Sequence, residues 1–295
     1  MNNFTYQLYR IIIPKYFRKR IQAKRMTSSI FHYYKNNPEA VTSEVEEVVN
    51  YLKSNPITVF PYAFQDHYHA EDIEVFDDDK TGLRYVLLDE KRLYFKKKWR
   101  KDKIKRAYNN LLKEQDTQSP HRYINDQFQF DEGNVLIDAG AAEGNFALSV
   151  VEKASKVILL ESDMEWLEPL QATFAPWKDK VMIVNKFVGE IANSSQTSLD
   201  DIIVPNQAGI FLKADVEGGE LKLLKGATKL LSKQKPLKIA ICTYHKANDK
   251  KELSDFLSKY NFDISFSKGF MISIYDKTMK KPYLRCGLLQ AKKVE

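Results

Sequence analysis

The sequence predicts a doubly wound α/β domain preceded by a small α+β unit, and three observations predict it. From Gly133 onward, short apolar runs alternate with stretches of helical spacing, the pattern of buried parallel strands and their covering helices. A glycine-bearing turn, Asp138–Phe146, follows the first of those runs. In such sheets, ligands bind beyond the carboxyl ends of the strands. Ahead of Gly133 the pattern is instead apolar–polar alternation broken by a turn, which reads as a hairpin.

In chain order, Pro14 interrupts any single helix near the start. Val45, Val48, Val49 and Leu52 then predict a helix over 43–52. Ile73–Phe76 and Arg84–Leu87 flank the turn at Asp77–Gly82 and predict a hairpin, with Leu93–Phe95 as a further strand. A helix over 104–112 follows. These elements make up an accessory α+β region over 1–130. The second region, 131–295, opens with strand 135–137 and helix 146–154. Strands follow at 157–160, 181–184, 210–214 and 237–243, with helices at 166–174, 220–231 and 250–259. Segments 262–266 and 284–291 finish the sheet.

The chain has 295 residues, 43% of them hydrophobic and 29% charged. This composition excludes a disordered chain, a collagen and a disulfide scaffold. No apolar run approaches the ~20 residues of a membrane-spanning helix, so a cytoplasmic location is expected. Cys242 and Cys286 both fall in strands and are expected to be buried, unreactive thiols.

The glycine turn carries the first chemical signal. Gly140 and Gly144 allow a sharp turn and close approach of a ligand, but the spacing is D-x-G-x-x-x-G, not G-x-G-x-x-G. Asp138 replaces the first glycine of a dinucleotide fingerprint. An anion there would repel a pyrophosphate and attract a ligand carrying an ammonium and a sulfonium, which favours S-adenosylmethionine over a nicotinamide dinucleotide. Glu161 closes the second strand, where a carboxylate can accept hydrogen bonds from ribose hydroxyls. Phe187, after the third strand, could pack on an adenine ring. The expected cofactor residues are Asp138, Gly140, Ala141, Glu143, Gly144, Asn145, Phe146, Glu161, Ser162 and Phe187.

These residues, with Thr197–Asp200 and above all the K-x-D-x-E-G-x-E of Lys213–Glu220, resemble the FkbM-type methyltransferases. The resemblance covers about residues 133–272. It implies a Rossmann-like seven-stranded sheet with an antiparallel last strand, S-adenosylmethionine as methyl donor, and often a sugar or secondary-metabolite oxygen as acceptor. Glu114–Asp116, Ser119–Tyr123 and Cys242–His245 resemble a glycan-associated branch of that family. Ala142 and Gly219 are small departures from the common pattern.

Methyl transfer to a hydroxyl needs alignment and then a proton acceptor. Asp215, Glu217 and His245 are the candidates for that acceptor, and the same trio could hold a divalent cation. His121, Arg122, Tyr123 and Tyr244 are expected to contact the acceptor. Asp66–Glu71 has metal-like spacing on a strand, but no further ligand cluster stands nearby in sequence.

Charge is unevenly spread. Residues 1–130 carry 23 basic against 17 acidic side chains, residues 131–295 carry 23 against 22. The first 25 residues contain seven basic groups and no acid; residues 91–106 contain ten and only Asp102 against them. Such runs are either solvated surface or a face for an anionic partner, such as lipid headgroups at the inner face of a membrane. The expected function is O-methylation of a saccharide or glycan intermediate. The alternatives are RNA ribose or other macromolecular methylation, and a catalytically silent binding module in a glycan-assembly complex. No Asn/Asp-Pro-Pro-aromatic motif of base methylation occurs, which weighs against amino methylation of bases and leaves RNA ribose methylation open.

Overall fold

The computed structural model describes residues 15–203, 208–274 and 279–293. The expectations for Phe4–Pro14 lie outside that range. The described residues form two compact units, 15–63 with 269–274 and 279–285, and 64–203 with 208–268 and 286–293.

In the smaller unit, the described part of helix α1 spans Lys15–Asn36. Helix α2 (Ser43–Ser54) is capped by Thr42, whose hydroxyl accepts from the Val45 amide at 3.3 Å. Val45, Val48 and Leu52 of α2 are buried, as are Ile30 and Tyr34 of α1. The Tyr34 hydroxyl donates to the Pro282 carbonyl, and the Gly269 amide to Glu44.

The larger unit opens with strands β1 (Phe76–Asp78), β2 (Leu83–Leu88) and β3 (Lys91–Phe95), an antiparallel sheet that contains the expected hairpin. Helix α3 (Lys101–Glu114) follows. The main sheet then begins. Strand β4 (Val135–Ala139) leads to α4 (Asn145–Val150), β5 (Lys156–Leu160) to α5 (Leu167–Phe174), and β6 (Val181–Val184) to the short strands β7 (Phe187–Val188) and β8 (Gln196–Thr197). Next come α6 (Leu199–Ile202), β9 (Ile210–Ala214), α7 (Glu220–Lys225), α8 (Thr228–Lys233), β10 (Leu237–Cys242), α9 (Asp249–Leu257) and β11 (Asp263–Phe266). Two-residue strands β12 (Phe270–Met271) and β13 (Arg285–Cys286) precede β14 (Leu288–Lys293).

Seven strands pair in the order β11-β14-β10-β9-β4-β5-β6. Strand β14 is antiparallel to both neighbours; the β10-β9-β4-β5-β6 pairings are all parallel. Successive side chains of a strand face opposite sides, and both sides are apolar. Leu136, Leu159, Phe211 and Cys242 face one cluster with Phe146 and Phe174. Ile137, Ile158, Leu212 and Ile241 face a second with Leu223, Leu230 and Leu253. Both faces are therefore covered, as a parallel sheet requires.

The compact units divide after Ala63, not near residue 130. The physical reason is a shared core. Val86, Leu93, Phe95, Ile104 and Tyr108 belong to the same apolar cluster as Leu136 and Phe146. The Thr173 hydroxyl also accepts from the Tyr94 amide at 3.0 Å, tying β3 to α5. Asp66 and His67 lie in a 3₁₀ helix, Ala63–His67, rather than on a strand, so the i, i+2 alignment suggested for Asp66–Glu71 does not arise.

Candidate active site

The crevice lies beyond the carboxyl ends of β4, β5, β9 and β10. Its first wall is the glycine turn. Gly140 has φ +75° and Gly144 φ +82°, a region costly to other residues. Close approach adds a second constraint: a Cβ on Gly140 would sit 1.8 Å from the Asp215 carbonyl oxygen. Only glycine lets the turn after β4 cross the end of β9.

Glu161, at the end of β5, faces this turn. One carboxylate oxygen accepts from the Ala142 amide at 2.9 Å, the other from the Asp163 amide at 2.7 Å. Each oxygen keeps a second lone pair, so the carboxylate can brace the turn and still accept ribose hydroxyls. Glu143 sits in the turn itself, where burial pushes its carboxyl up to about 8. Ser162 is half-buried beside Glu161. Phe187 is 63% exposed at the mouth of the sheet, available as a flat apolar surface; Val188 packs against the core. Asn145 and Phe146 open α4, with Phe146 buried.

Asp138 has a different role from the expected one. It is 1% exposed, and its carboxylate meets the Lys213 ammonium at 2.9 Å. Asp138 and Lys213 are register partners on neighbouring strands. The lysine also donates to the Gly140 carbonyl at 2.7 Å. Burial alone would lower the Lys213 ammonium, but Asp138 and Asp215 outweigh it and raise it well above the ordinary range. Asp138 thus acts through Lys213 on the shape of the turn, and its charge is neutralised internally rather than offered to a sulfonium.

The second wall gathers side chains from three stretches of chain around Asp215, which ends β9. Tyr123 donates to Asp215 Oδ2 at 3.2 Å, and the Tyr244 hydroxyl lies 3.4 Å from both carboxylate oxygens. His121 Nε2 stands 3.6 Å from Oδ2, and His245 Nε2 3.4 Å from Oδ1. Burial alone would raise the Asp215 carboxyl. The hydrogen bond to His121 and the charges of Lys213, His121 and His245 overcome it and hold Asp215 far below the usual carboxylate range. His121 is 2% exposed and also 3.1 Å from the Tyr244 hydroxyl.

His245 is held by a group whose part in the site is not legible in the motif alone. Glu220, first residue of α7 and 1% exposed, meets His245 Nδ1 at 2.9 Å. The same oxygen, Oε1, accepts from the Val216 and Gly218 amides at 3.1 and 3.2 Å. Burial alone would lower the His245 imidazole; the Glu220 hydrogen bond and the charges of Asp215, Glu220 and Glu217 outweigh it and raise it above its ordinary value. Glu217 stands 3.6 Å from Nε2, but its side chain is 92% exposed. Glu217 itself has φ +53° and Gly218 φ +90°.

Two trios place metal-ligating atoms within 4.8 Å of one another: Asp215, Glu220 and His245, and His121, Asp215 and Cys242. The expected trio of Asp215, Glu217 and His245 is therefore replaced by one in which Glu220 takes the place of Glu217. The Arg122 Nε donates to the Ile124 carbonyl at 2.8 Å. Thr197–Asp200 serves the scaffold: Ser198 caps α6, and Asp200 accepts from the Lys229 and Leu230 amides at the start of α8. Cys242 and Cys286 are buried free thiols, as expected.

The run 91–106 also reads differently in three dimensions. Lys96 pairs with Asp163, Lys97 with Glu168, Lys98 with Glu165, Lys101 with Asp77 and Arg106 with Asp102. Its charge is largely answered within the larger unit.

Residues 132–264 match the family model described as the methyltransferase FkbM domain. No curated protein matches the chain. Among solved structures, the SAH complex of SMU.1697c from Streptococcus mutans aligns at 14% identity and TM-score 0.40, covering 56% of this chain and 90% of that one. A precorrin-6Y C5,15-methyltransferase from Geobacter metallireducens aligns at 14% identity and TM-score 0.38, covering 56% and 82%. An rRNA methylase from Streptococcus thermophilus aligns at 14% identity and TM-score 0.37, covering 56% and 89%.

Proposed function

We propose that the chain, whose residues 132–264 match the methyltransferase FkbM domain model, transfers a methyl group from S-adenosylmethionine to a hydroxyl oxygen of a saccharide or glycan intermediate. The donor supplies a methyl group on a positively charged sulfur. The residues to hold it are Gly140, Ala141, Glu143, Gly144, Asn145 and Phe146 along the turn, Glu161 and Ser162 beside it, and Phe187 at its mouth. The donor set fits: Glu161 keeps free lone pairs for hydroxyls, and ionised Asp215 gives the crevice a negative wall for a cationic ligand.

The observation that carries the acceptor reading is the line Glu220–His245–Asp215. Glu220 Oε1 stands 2.9 Å from His245 Nδ1, a charge that favours the proton on Nδ1 and leaves Nε2 to act as the base. Nε2 is then placed to take the proton of an approaching hydroxyl. Asp215, 3.4 Å from Nε2, stabilises the imidazolium that forms. Its own position is set by Tyr123, Tyr244 and His121, so alignment rests on buried groups rather than mobile ones.

A phenolic or sugar hydroxyl is the chemistry that such a base serves, and the resemblance of Ser119–Tyr123 and Cys242–His245 to a glycan-associated branch narrows it to sugars. Calorimetry of the full chain with S-adenosylmethionine tests the donor reading, which fails if no binding is seen. Mass spectrometry of surface glycans from cells with and without the protein tests the acceptor reading. A single-methyl increment that vanishes with the protein is the expected result, and an unchanged glycan profile overturns it.

A further inference from the structure

We propose that Lys96, just after β3, is a positioning residue of the donor site: through Asp163 it fixes the Glu161 carboxylate against the glycine turn. The antiparallel sheet ahead of the main fold thereby takes part in holding S-adenosylmethionine. This inference rests on the ribose role proposed for Glu161 and adds a residue 67 positions before its partner Asp163.

The link is a short series of contacts within the larger unit. The Lys96 ammonium pairs with Asp163 Oδ2 and lies 4.0 Å from Glu165 Oε2. The other carboxylate oxygen, Asp163 Oδ1, accepts from the Glu165 amide at 2.9 Å and caps the 3₁₀ turn Met164–Trp166. The Lys96 hydrogen bond and the Glu165 amide hold the Asp163 carboxyl below its usual range, against the effect of burial. With both oxygens engaged, the backbone of Asp163 is held too, and its amide donates to Glu161 Oε1 at 2.7 Å. Glu161 Oε2 is met from the other side by the Ala142 amide at 2.9 Å. The Glu161 backbone is tied elsewhere: its amide donates to the Val184 carbonyl at 3.1 Å, and its carbonyl accepts from Asn185 at 2.7 Å. The β6 side therefore sets the main chain, and two amides set the carboxylate. One of those amides belongs to the turn; the other answers to Lys96.

Lys96 is itself firmly seated. Its ammonium lies 4.7 Å from the centre of the Trp166 ring and 5.9 Å from that of Trp99, and the two indoles meet edge to face at 5.4 Å. Two residues earlier, the Tyr94 amide bonds Thr173 on α5. The Lys96 side chain is 12% exposed. Lys97 and Lys98 reach Glu168 and Glu165 at 3.2 and 3.0 Å from exposed positions, where an ion pair contributes little. Of three consecutive lysines, the one withdrawn from water is the one bonded to the residue that braces Glu161.

The test is calorimetry of the full chain with S-adenosylmethionine, arranged as a double-mutant cycle. Lys96→Met should weaken binding about tenfold, of the order that neighbours in one hydrogen-bond network exert on each other, while kcat at saturating donor stays near the wild-type value. Asp163→Asn breaks the same link and leaves Lys96 on the indoles; it should weaken binding by a similar factor. Lys96→Arg should restore most of the affinity, and Lys97→Gln/Lys98→Gln should change nothing. In a Glu161→Gln background, Lys96→Met should cost less than about threefold, because the charge it positions is gone. A purely structural lysine would show its full loss again in that background, and this result would overturn the proposal. Wild-type affinity in both Lys96→Met and Asp163→Asn would overturn it as well. If the wild-type chain itself binds no S-adenosylmethionine, the donor reading fails first and takes this inference with it.

Discussion

The two walls of the crevice are built by opposite means. The glycine turn and Glu161 come from two short stretches, and their geometry is mostly backbone: positive φ, a missing Cβ, amides aimed at a carboxylate. The Asp215 wall is side-chain work, drawn from Tyr123, Asp215, Glu220 and His245 together with His121 and Tyr244. The first wall is a shape that survives most side-chain changes. The second is a charge balance in which each group depends on its neighbours. Lys213 joins them, pairing with Asp138 and bonding the turn while its charge helps keep Asp215 ionised.

The largest effect that would sharpen this contrast is on turnover. His245→Ala removes the proton acceptor and should lower kcat by about 10²- to 10⁴-fold, with S-adenosylmethionine affinity by calorimetry unchanged. A matching loss of cofactor binding would mean the two walls are not separable. In the wild type, neutral His245 is the active form and its imidazole is raised above the ordinary value. Activity should therefore rise with pH through a point above 6.5, and Glu220→Gln should move that limb to lower pH.

Next is the link between the walls. Lys213→Met leaves Asp138 buried with no cation, which costs about 3–5 kcal/mol. Chemical denaturation should show that loss, and Lys213→Met/Asp138→Leu should recover most of it. A Lys213→Met protein as stable as wild type would show that the pair is not what holds the turn.

This pair also marks where the sequence was legible and where it was not. The positions of the strands and helices follow from the alternating apolar runs, and the turn from two glycines whose need is local. Asp138 was readable only as an anion, because a single strand does not say which residue lies beside it. The signal was present: Ile210–Ala214 is a buried strand with one lysine, and a buried lysine needs an anion. Glu220 was obscured for a similar reason. An acid at the start of a helix is ordinary there, and only the return of the chain at His245 turns it into an orienting group. Which core the hairpin joins is not legible either, because its apolar side does not say what it packs on. The basic run at 91–106 reads as a surface for a partner because its partners, Asp163 to Glu168, lie some 70 positions on.

A smaller effect belongs to the backbone wall. Glu161→Gln keeps the shape but removes the charge from an acceptor of hydroxyls. Hydrogen bonds to charged groups contribute about 1.5–3 kcal/mol, so S-adenosylmethionine should bind about 10- to 100-fold more weakly. Activity at saturating donor should return nearly to the wild-type level. Failure to recover would mean that Glu161 acts on the chemistry and not only on binding.

The smallest effect separates two neighbours in one motif. Glu217 and Glu220 both approach His245, at 3.6 and 2.9 Å, yet one side chain is 92% exposed and the other 1%. Water screens the first, whereas the second is fixed by two amides and cannot leave. Exposed ion pairs are worth about 0–1 kcal/mol, so Glu217→Ala should lower kcat by less than about fivefold and leave the pH limb nearly in place. A large loss in Glu217→Ala would show that the outer acid moves inward when the acceptor binds, and that the side-chain wall is completed only by its ligand.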